Sequence, residues 1–415
     1  MNQQSTEAGI HYGWIIVGVG TLTIAACLGL ARFAFGMLLP SMREALAMSY
    51  DQMGFLGTAN FSGYLLAVAI APLLLRLTTP RQLIASSLLL IAACMFAISR
   101  AQSYMQVLTL YSLVGIGSGI ANIPLMVLVS FWFRRERLLR SPRLMLIGSG
   151  FAIILSGVLV PWLNSRFASD GWRISWTVLA AMVLLIGLIA AALIRNDPAD
   201  KGLQPVGKPG VDYDPAEAKG AFSPLQVLTH LGGLYFIFGA TYVIYGTFIV
   251  TTMIEEYGFA ESSAGLFWSW VGLFSLLSGV LFGALSDRIG RKGGLMAVFT
   301  VQTLAYLLAG SKLGTTAIFA SVVLYGVAMF AAPAIMAAAV GDYLGKARAA
   351  AAFSFITFCF AIGQTVGPSL AGVVAERIGS FTPSYLASSA LTALGVVWAS
   401  RLPEPQSSRG EQQTS

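Results

Sequence analysis

Arg32 stands in GLARFAFGMLLPSM, residues 29–42, a permanent cation inside a long apolar run. A guanidinium keeps its proton at every accessible pH, so it requires water, a lipid phosphate, a carboxylate or a bound anion beside it. Each of the 18 acidic residues falls in a loop, a terminus or the end of an apolar run, among them Glu44, Asp51, Glu255, Glu256, Glu261, Asp287, Asp342 and Glu376. No carboxylate is left at the depth of Arg32. The simplest completion is a small anionic substrate held by charge-assisted hydrogen bonds. On charge alone, a bound chloride or a water-filled cavity serves equally.

Helical periodicity gathers further polar groups onto shared faces. Asn60 and Tyr64 are one turn apart, and Tyr235, Tyr242, Tyr245 and Thr252 share a face. Tyr111, Gly115, Ser118, Gly119 and Asn122 fall within about 100° of one another. Trp268 and Trp270 open one apolar run, and Gln364 lies in GQTVGPSLAG. Each fits either as a polar group satisfied by helix packing or as a ligand contact. The candidate substrate-binding set is Arg32, Asn60, Tyr64, Tyr111, Asn122, Tyr242, Tyr245, Trp268 and Gln364. Cys27, Cys94 and Cys359 are scattered without CxxC spacing, and His11 and His230 lie near run ends, so no metal or redox role is expected. No G-x-x-x-x-G-K-[ST] loop occurs, which removes ATP as a driver. Neither a cofactor nor an enzymatic reaction is expected.

The elements that position these groups follow from composition. Of 415 residues, 56% are hydrophobic and 10% charged, against roughly 25% charged in soluble domains. This is the composition of a membrane protein, and its net charge of +7 reads as cationic cytoplasmic loops that orient the chain rather than as nucleic-acid binding. Twelve apolar runs are long enough to cross a bilayer as helices: 12–39, 53–75, 82–99, 105–133, 144–163, 174–194, 231–253, 264–285, 295–310, 315–340, 349–374 and 383–400. The first run lacks a signal-peptide cleavage pattern and is expected to stay uncleaved. The expected division is a six-helix half at 1–194, a Pro- and Gly-rich cytoplasmic linker at 195–225, a second half at 226–403 and a tail at 404–415. With the N-terminus inside, cytoplasmic segments hold 18 of the 25 Lys and Arg and the opposite loops six. Both termini are therefore expected in the cytoplasm, and the multi-pass chain in the cell (inner) membrane, as a monomer.

The halves repeat at an offset near 210. GLARFAFG (29–36) falls on GATYVIYG (239–246), PWLNSR and PSLAG sit 207 apart, and FRRER and LGKAR sit 211 apart. Such a duplication places a substrate site between the halves at the midplane, and it sets Tyr242 opposite Arg32. At 100° per residue, Gly18, Thr21, Ala25, Gly29, Arg32 and Gly36 form one small-residue face, while Ile16, Leu30 and Leu38 point toward lipid. Snorkelling to the outer interface is the other reading of Arg32, but Pro40 is about 12 Å of helix rise away and off that face.

GALSDRIGRK, Gly283 to Lys292, follows the eighth run. Asp287 and the basic residues behind it suit a charge cluster clasping neighbouring helix ends, with Gly283 and Gly290 permitting close approach and a sharp turn. Gly283, Asp287, Arg288, Gly290 and Arg291 are the candidate gating residues; a plain positive-inside turn is the alternative. Twelve runs, a central loop and this motif resemble the major facilitator superfamily, whose loop signature reads roughly G-x-L-x-D-R-x-G-R-[RK]. The first-half counterpart, APLLLRLTTPRQL, keeps Arg76 and Arg81 but lacks the aspartate and glycines. RFAFGMLLPSM, GTANFSGYLLA, FGATYVIYGTF and FWSWVGLFSLLSGVLFGALSDRIGR resemble the bacterial YbfB/YjiJ-like transporters. HYGWIIVG and DPADKGLQPVG are similar to the oxalate/formate and monocarboxylate branch.

The resemblance implies an all-α fold of twelve transmembrane helices in two pseudosymmetric six-helix bundles, working by alternating access. It implies a secondary transporter of a small organic anion, a carboxylate first of all, driven by a proton or counter-anion gradient. Drug or metabolite efflux by proton antiport, and a membrane sensor or scaffold, are the rival expectations.

Overall fold

The computed structural model describes residues 11–134, 141–207 and 224–403. The basic residues Arg135, Arg137, Arg140, Lys208, Lys219 and Arg409, much of the central linker and the tail lie outside the described residues. In hydrocarbon, backbone amides have only one another to bond, so each apolar run becomes a helix. The helices are α1 (Tyr12–Leu46), α2 (Tyr50–Leu77), α3 (Pro80–Ser99), α4 (Tyr104–Trp132), α5 (Ser141–Phe167) and α6 (Gly171–Leu193). The second set is α7 (Pro224–Glu255), α8 (261–289), α9 (291–310), α10 (Thr315–Leu344), α11 (Lys346–Ile378) and α12 (Thr382–Ala399). Ser49 with Gln52 and Thr79 with Gln82 cap α2 and α3 as reciprocal boxes. Gly290, at φ 80° and ψ 164°, breaks the backbone between α8 and α9, a conformation that a side chain would oppose.

Six helices pack in each half, and the halves meet along α1 with α7, α2 with α11, and α5 with α8. Glycine makes each crossing close. A methyl group on Gly36 would stand 2.6 Å from the Gly246 carbonyl oxygen, so the two glycines that end the repeated octapeptides touch across the interface. A methyl on Gly372 would stand 3.1 Å from the Gly54 Cα, and one on Gly272 would stand 2.7 Å from the Gly150 carbonyl oxygen.

Beyond these crossings, at the face where α1 ends and α2 begins (the distal face), three carboxylates of the second half accept hydrogen bonds from the first. Glu255 takes both contacts of Arg43 Nη1, at 3.0 and 3.1 Å, and the Tyr50 hydroxyl at 2.6 Å. Glu376 takes the Tyr50 backbone N–H at 2.7 Å, and Glu261 takes the Asn164 amide at 2.5 Å. Toward the opposite face, where α1 starts and α12 ends (the terminal face), the packing loosens. Gly18 of α1 and Gly279 of α8 have no atom within 4 Å of where a Cβ would stand. A cavity of about 350 Å³ opens there between α5, α8 and α10. Among the described residues, polar contacts thus seal the halves distally, and the open space lies toward the terminal face.

One expectation needs correction. Ile16, Leu30 and Leu38 are buried rather than lipid-facing. The reason is that α1 is enclosed by α4, α5, α6 and α7, and that residues Ala25–Phe33 wind as a π-helix, which shifts the 100° phase. The start of the linker is tied to the end of α4. The Val206 N–H donates to the Trp132 carbonyl, the Arg134 N–H donates to the Val206 carbonyl, and Trp132 Nε1 donates to the Arg195 carbonyl.

Candidate functional site

Arg32 lies on the π-helical segment of α1, only 8% exposed. π-turns recur at functional sites because their wider winding displaces a side chain from the ordinary helical register. Arg32 Nε donates to Asn60 Oδ1 at 3.2 Å, and Asn60 Nδ2 donates to the Tyr111 carbonyl at 3.0 Å. Asn60 is one residue that satisfies both a cation and a helix carbonyl. The guanidinium carbon lies 4.6 Å from the Phe61 ring centre and 4.5 Å from that of Tyr64, within cation–π reach. Asn122 Nδ2 donates to the Tyr64 hydroxyl at 2.8 Å and so holds that ring in place. Arg32 Nη2 is buried and has no hydrogen-bond partner among the described residues.

Across the interface, Gln364 Nε2 donates to the Tyr242 hydroxyl, and the Tyr242 ring stacks on Phe238 at 5.0 Å. Phe360 extends the stack to Tyr235. Arg32, Phe33, Phe35, Phe61, Tyr111, Tyr242 and Thr247 line one cavity between α1, α2, α4 and α7. Its volume of about 20 Å³ holds little more than one water. Arg32 is the one ionisable cation in that lining, and no carboxylate is part of it.

The structure therefore brings together Arg32, Asn60, Tyr64, Tyr111, Asn122, Tyr242 and Gln364, either on the cavity wall or bonded to it. It does not bring Tyr245 or Trp268 there. The Tyr245 hydroxyl bonds with Ser321 at 2.8 Å, and its ring stacks on Tyr325 at 4.0 Å inside the second half. Trp268 is fully buried in α8. Phe35, Phe61 and the Gly36 to Gly246 contact were not singled out by the polar pattern. Phe61 adjoins Asn60, and the repeat already paired the two glycines, so the signal for these was adjacency and symmetry.

At the terminal face, Arg291 bonds Asp287 and Asp342, each at 2.6 Å, joining the α8–α9 turn to the end of α10. Arg288 is exposed and Gly283 is buried. Arg81, 210 residues before Arg291, bonds instead to the Ala191 carbonyl at the end of α6. Leu77 and Trp132 stand where Asp287 and Asp342 stand in the second half, so neither equivalent position offers an anion.

Comparison with known proteins accords with this architecture. A family model described as "Uncharacterised MFS-type transporter YbfB" matches residues 24–400. Monocarboxylate transporter 2 of Homo sapiens is 20% identical over 409 residues, 93% of this chain and 84% of the relative. The agnestins efflux protein AgnL12 of Paecilomyces divaricatus is 25% identical over 366 residues, 87% of this chain and 80% of the relative. Among solved structures, a bacterial homolog of the human lysosomal transporter Spinster, in its inward-facing and occupied conformation, superposes with a TM-score of 0.73 at 14% identity, covering 94% of this chain and 97% of that one. Among the described residues nine stretches are long and apolar enough to cross a membrane; two of them, Leu144–Leu193 and Glu261–Gly310, each hold two of the helices above, and α12 completes the twelve. With two six-helix bundles and a family match across residues 24–400, the chain is a multi-pass membrane transporter belonging to the YbfB-like family of the major facilitator superfamily.

Proposed function

We propose that this protein carries a small organic monoanion, a carboxylate first of all, across the cell membrane by alternating access. The observation that carries the reading is Arg32, a buried cation with an unpartnered Nη2 on the wall of a cavity that holds no other ionisable cation and no carboxylate. One positive charge balances one negative charge; a dianion would bring an uncompensated charge into a partly dehydrated site. Tyr242, held by Gln364, and Tyr111 line the far and near walls. The name of the monocarboxylate relative favours the same chemistry. Basic residues at the terminal face, among them Arg76, Arg81, Arg195, Arg288, Arg291 and Lys292, favour placing that face in the cytoplasm of the inner membrane. On that placement the α5–α8–α10 cavity faces the inside, and the drive is a proton or counter-anion gradient.

Solute counterflow in proteoliposomes tests this. Labelled monocarboxylates are expected to be drawn in against unlabelled ones, whereas amides of the same skeleton are not. Amides moving as fast as acids, or binding without flux for every acid tried, would overturn the proposal, the second outcome in favour of a sensor.

The distal seal makes a second prediction. Arg43→Glu removes a half-exposed ion pair worth about 1 kcal/mol, which shifts the closed-to-open ratio about fivefold. The swap Arg43→Glu with Glu255→Arg is expected to restore it. Cysteine labelling from the distal side reads the ratio, and a swap that labels like the single variant refutes the role of the pair.

A further inference from the structure

The Arg32 cavity holds little more than one water, so the body of a carboxylate needs space beyond it. The neighbouring space is large and dry. Phe33, beside Arg32 on the cavity wall, meets Phe330 edge to face at 6.0 Å. Phe330 in turn walls the cavity of about 350 Å³ between α5, α8 and α10. That volume lies in the range of small-molecule sites. Its remaining wall is aliphatic apart from Ser275, whose hydroxyl already donates to the Gly272 carbonyl at 2.7 Å. No group there asks for a polar ligand. Phe330 sits where α10 is interrupted, between Ala328 and Ala331, and its backbone N–H donates to Ser278 Oγ at 3.0 Å. An aromatic ring is thereby pinned at the junction of the two spaces.

We infer that the α5–α8–α10 vestibule is the binding site for the apolar body of the substrate, so that the preferred cargo is an amphipathic monocarboxylate with an aliphatic or aryl tail. The inference rests on the Arg32 reading given above. The carboxylate takes the Arg32 fork, and the tail passes the Phe33–Phe330 pair into the vestibule. Adjacency to the cation site across the Phe33–Phe330 contact, rather than apolarity alone, favours a substrate tail over a lipid chain as the occupant.

Equilibrium binding to the purified protein in nanodiscs tests this with acetate, butanoate, hexanoate and 4-phenylbutanoate, corrected for binding to empty discs. Affinity is expected to rise about fourfold per methylene, the factor that corresponds to ~0.8 kcal/mol of burial. Gly279→Leu directs a side chain into open vestibule space and is expected to cut the hexanoate-to-acetate affinity ratio at least tenfold. Ala334→Leu serves as the second filler if the first variant does not fold. A flat chain-length series, or a ratio unchanged in a folded filler variant, overturns the inference. If Arg32→Gln still abolishes acetate binding in that case, the Arg32 reading stands and only the vestibule assignment falls. Acetate binding unaffected by Arg32→Gln would sink the Arg32 reading itself. Hexanoate binding that survives Arg32→Gln but not Gly279→Leu assigns the vestibule to lipid-like chains and likewise overturns the inference.

Discussion

Arg32→Gln is expected to lower affinity for the transported anion by about two to four orders of magnitude while leaving the fold intact. Two hydrogen bonds from a charged donor contribute about 1.5–3 kcal/mol each, and every 1.4 kcal/mol is a factor of about ten. The same substitution is expected to leave the melting temperature unchanged or raise it. A buried guanidinium whose Nη2 has no partner carries a desolvation cost that a neutral amide does not. Opposite signs for binding and stability separate a ligand-binding arginine from a structural one. Arg32→Lys keeps the charge but loses the Nε donation to Asn60 and the planar fork. Its expected loss is about tenfold, between wild type and the glutamine variant. Isothermal titration and thermal unfolding on the same samples read both quantities. Undiminished affinity in the glutamine variant, or a melting temperature several degrees lower with normal affinity, refutes the assignment.

Gly36→Val is expected to abolish transport, at least tenfold in initial rate, without unfolding the protein. The added Cβ would stand 2.6 Å from a backbone oxygen of Gly246, and a backbone atom cannot rotate away as a side chain can. The helices α1 and α7 must then part beside the cavity, and the distal seal with them. In contrast, helix propensity accounts for only about 0.3 kcal/mol or less between these two residues, and in the valine's favour. Gly18→Ala, on the open side of the same helix, meets no atom within 4 Å and is expected to leave the melting temperature within a degree or two. Initial rates of counterflow and distal cysteine accessibility distinguish the cases. A Gly36→Val protein that transports at the wild-type rate would show that α1 and α7 need not touch.

Much of this architecture is legible in the letters because the bilayer constrains it so heavily. Twelve apolar runs, an intramembrane cation without a carboxylate, and octapeptides repeating at 210 residues all follow from the cost of burying polar groups in hydrocarbon. The Arg32–Tyr242 pairing was readable for the same reason, since duplicated halves put equivalent residues across the interface. What periodicity misses is anything set by contacts between distant segments. It placed Tyr245 with Tyr242, three residues away, although packing against Tyr325 and Ser321 turns that side chain into the second half. It assumed one helical phase through α1, which the π-segment breaks just where Arg32 sits. It filed Glu255, Glu261 and Glu376 as loop carboxylates, because nothing local says that their donors lie more than 90 residues away in the other half. Asp287 and Gly290 were readable as a unit, whereas Asp342 as their third member was not.

Those distal carboxylates have a consequence for how the halves recognise each other. Arg43, Tyr50 and Asn164 donate from the first half, and Glu255, Glu376 and Glu261 accept from the second. An interface between repeated units has the option of being self-complementary, with each half able to pair with a copy of itself. Here that option is closed. Two first halves would set donor against donor at this face, and two second halves would bring three carboxylates against three carboxylates. Mixed as separate polypeptides, the halves are matched only as unlike partners, and the duplicated sequence has become a pair of complementary parts rather than interchangeable ones.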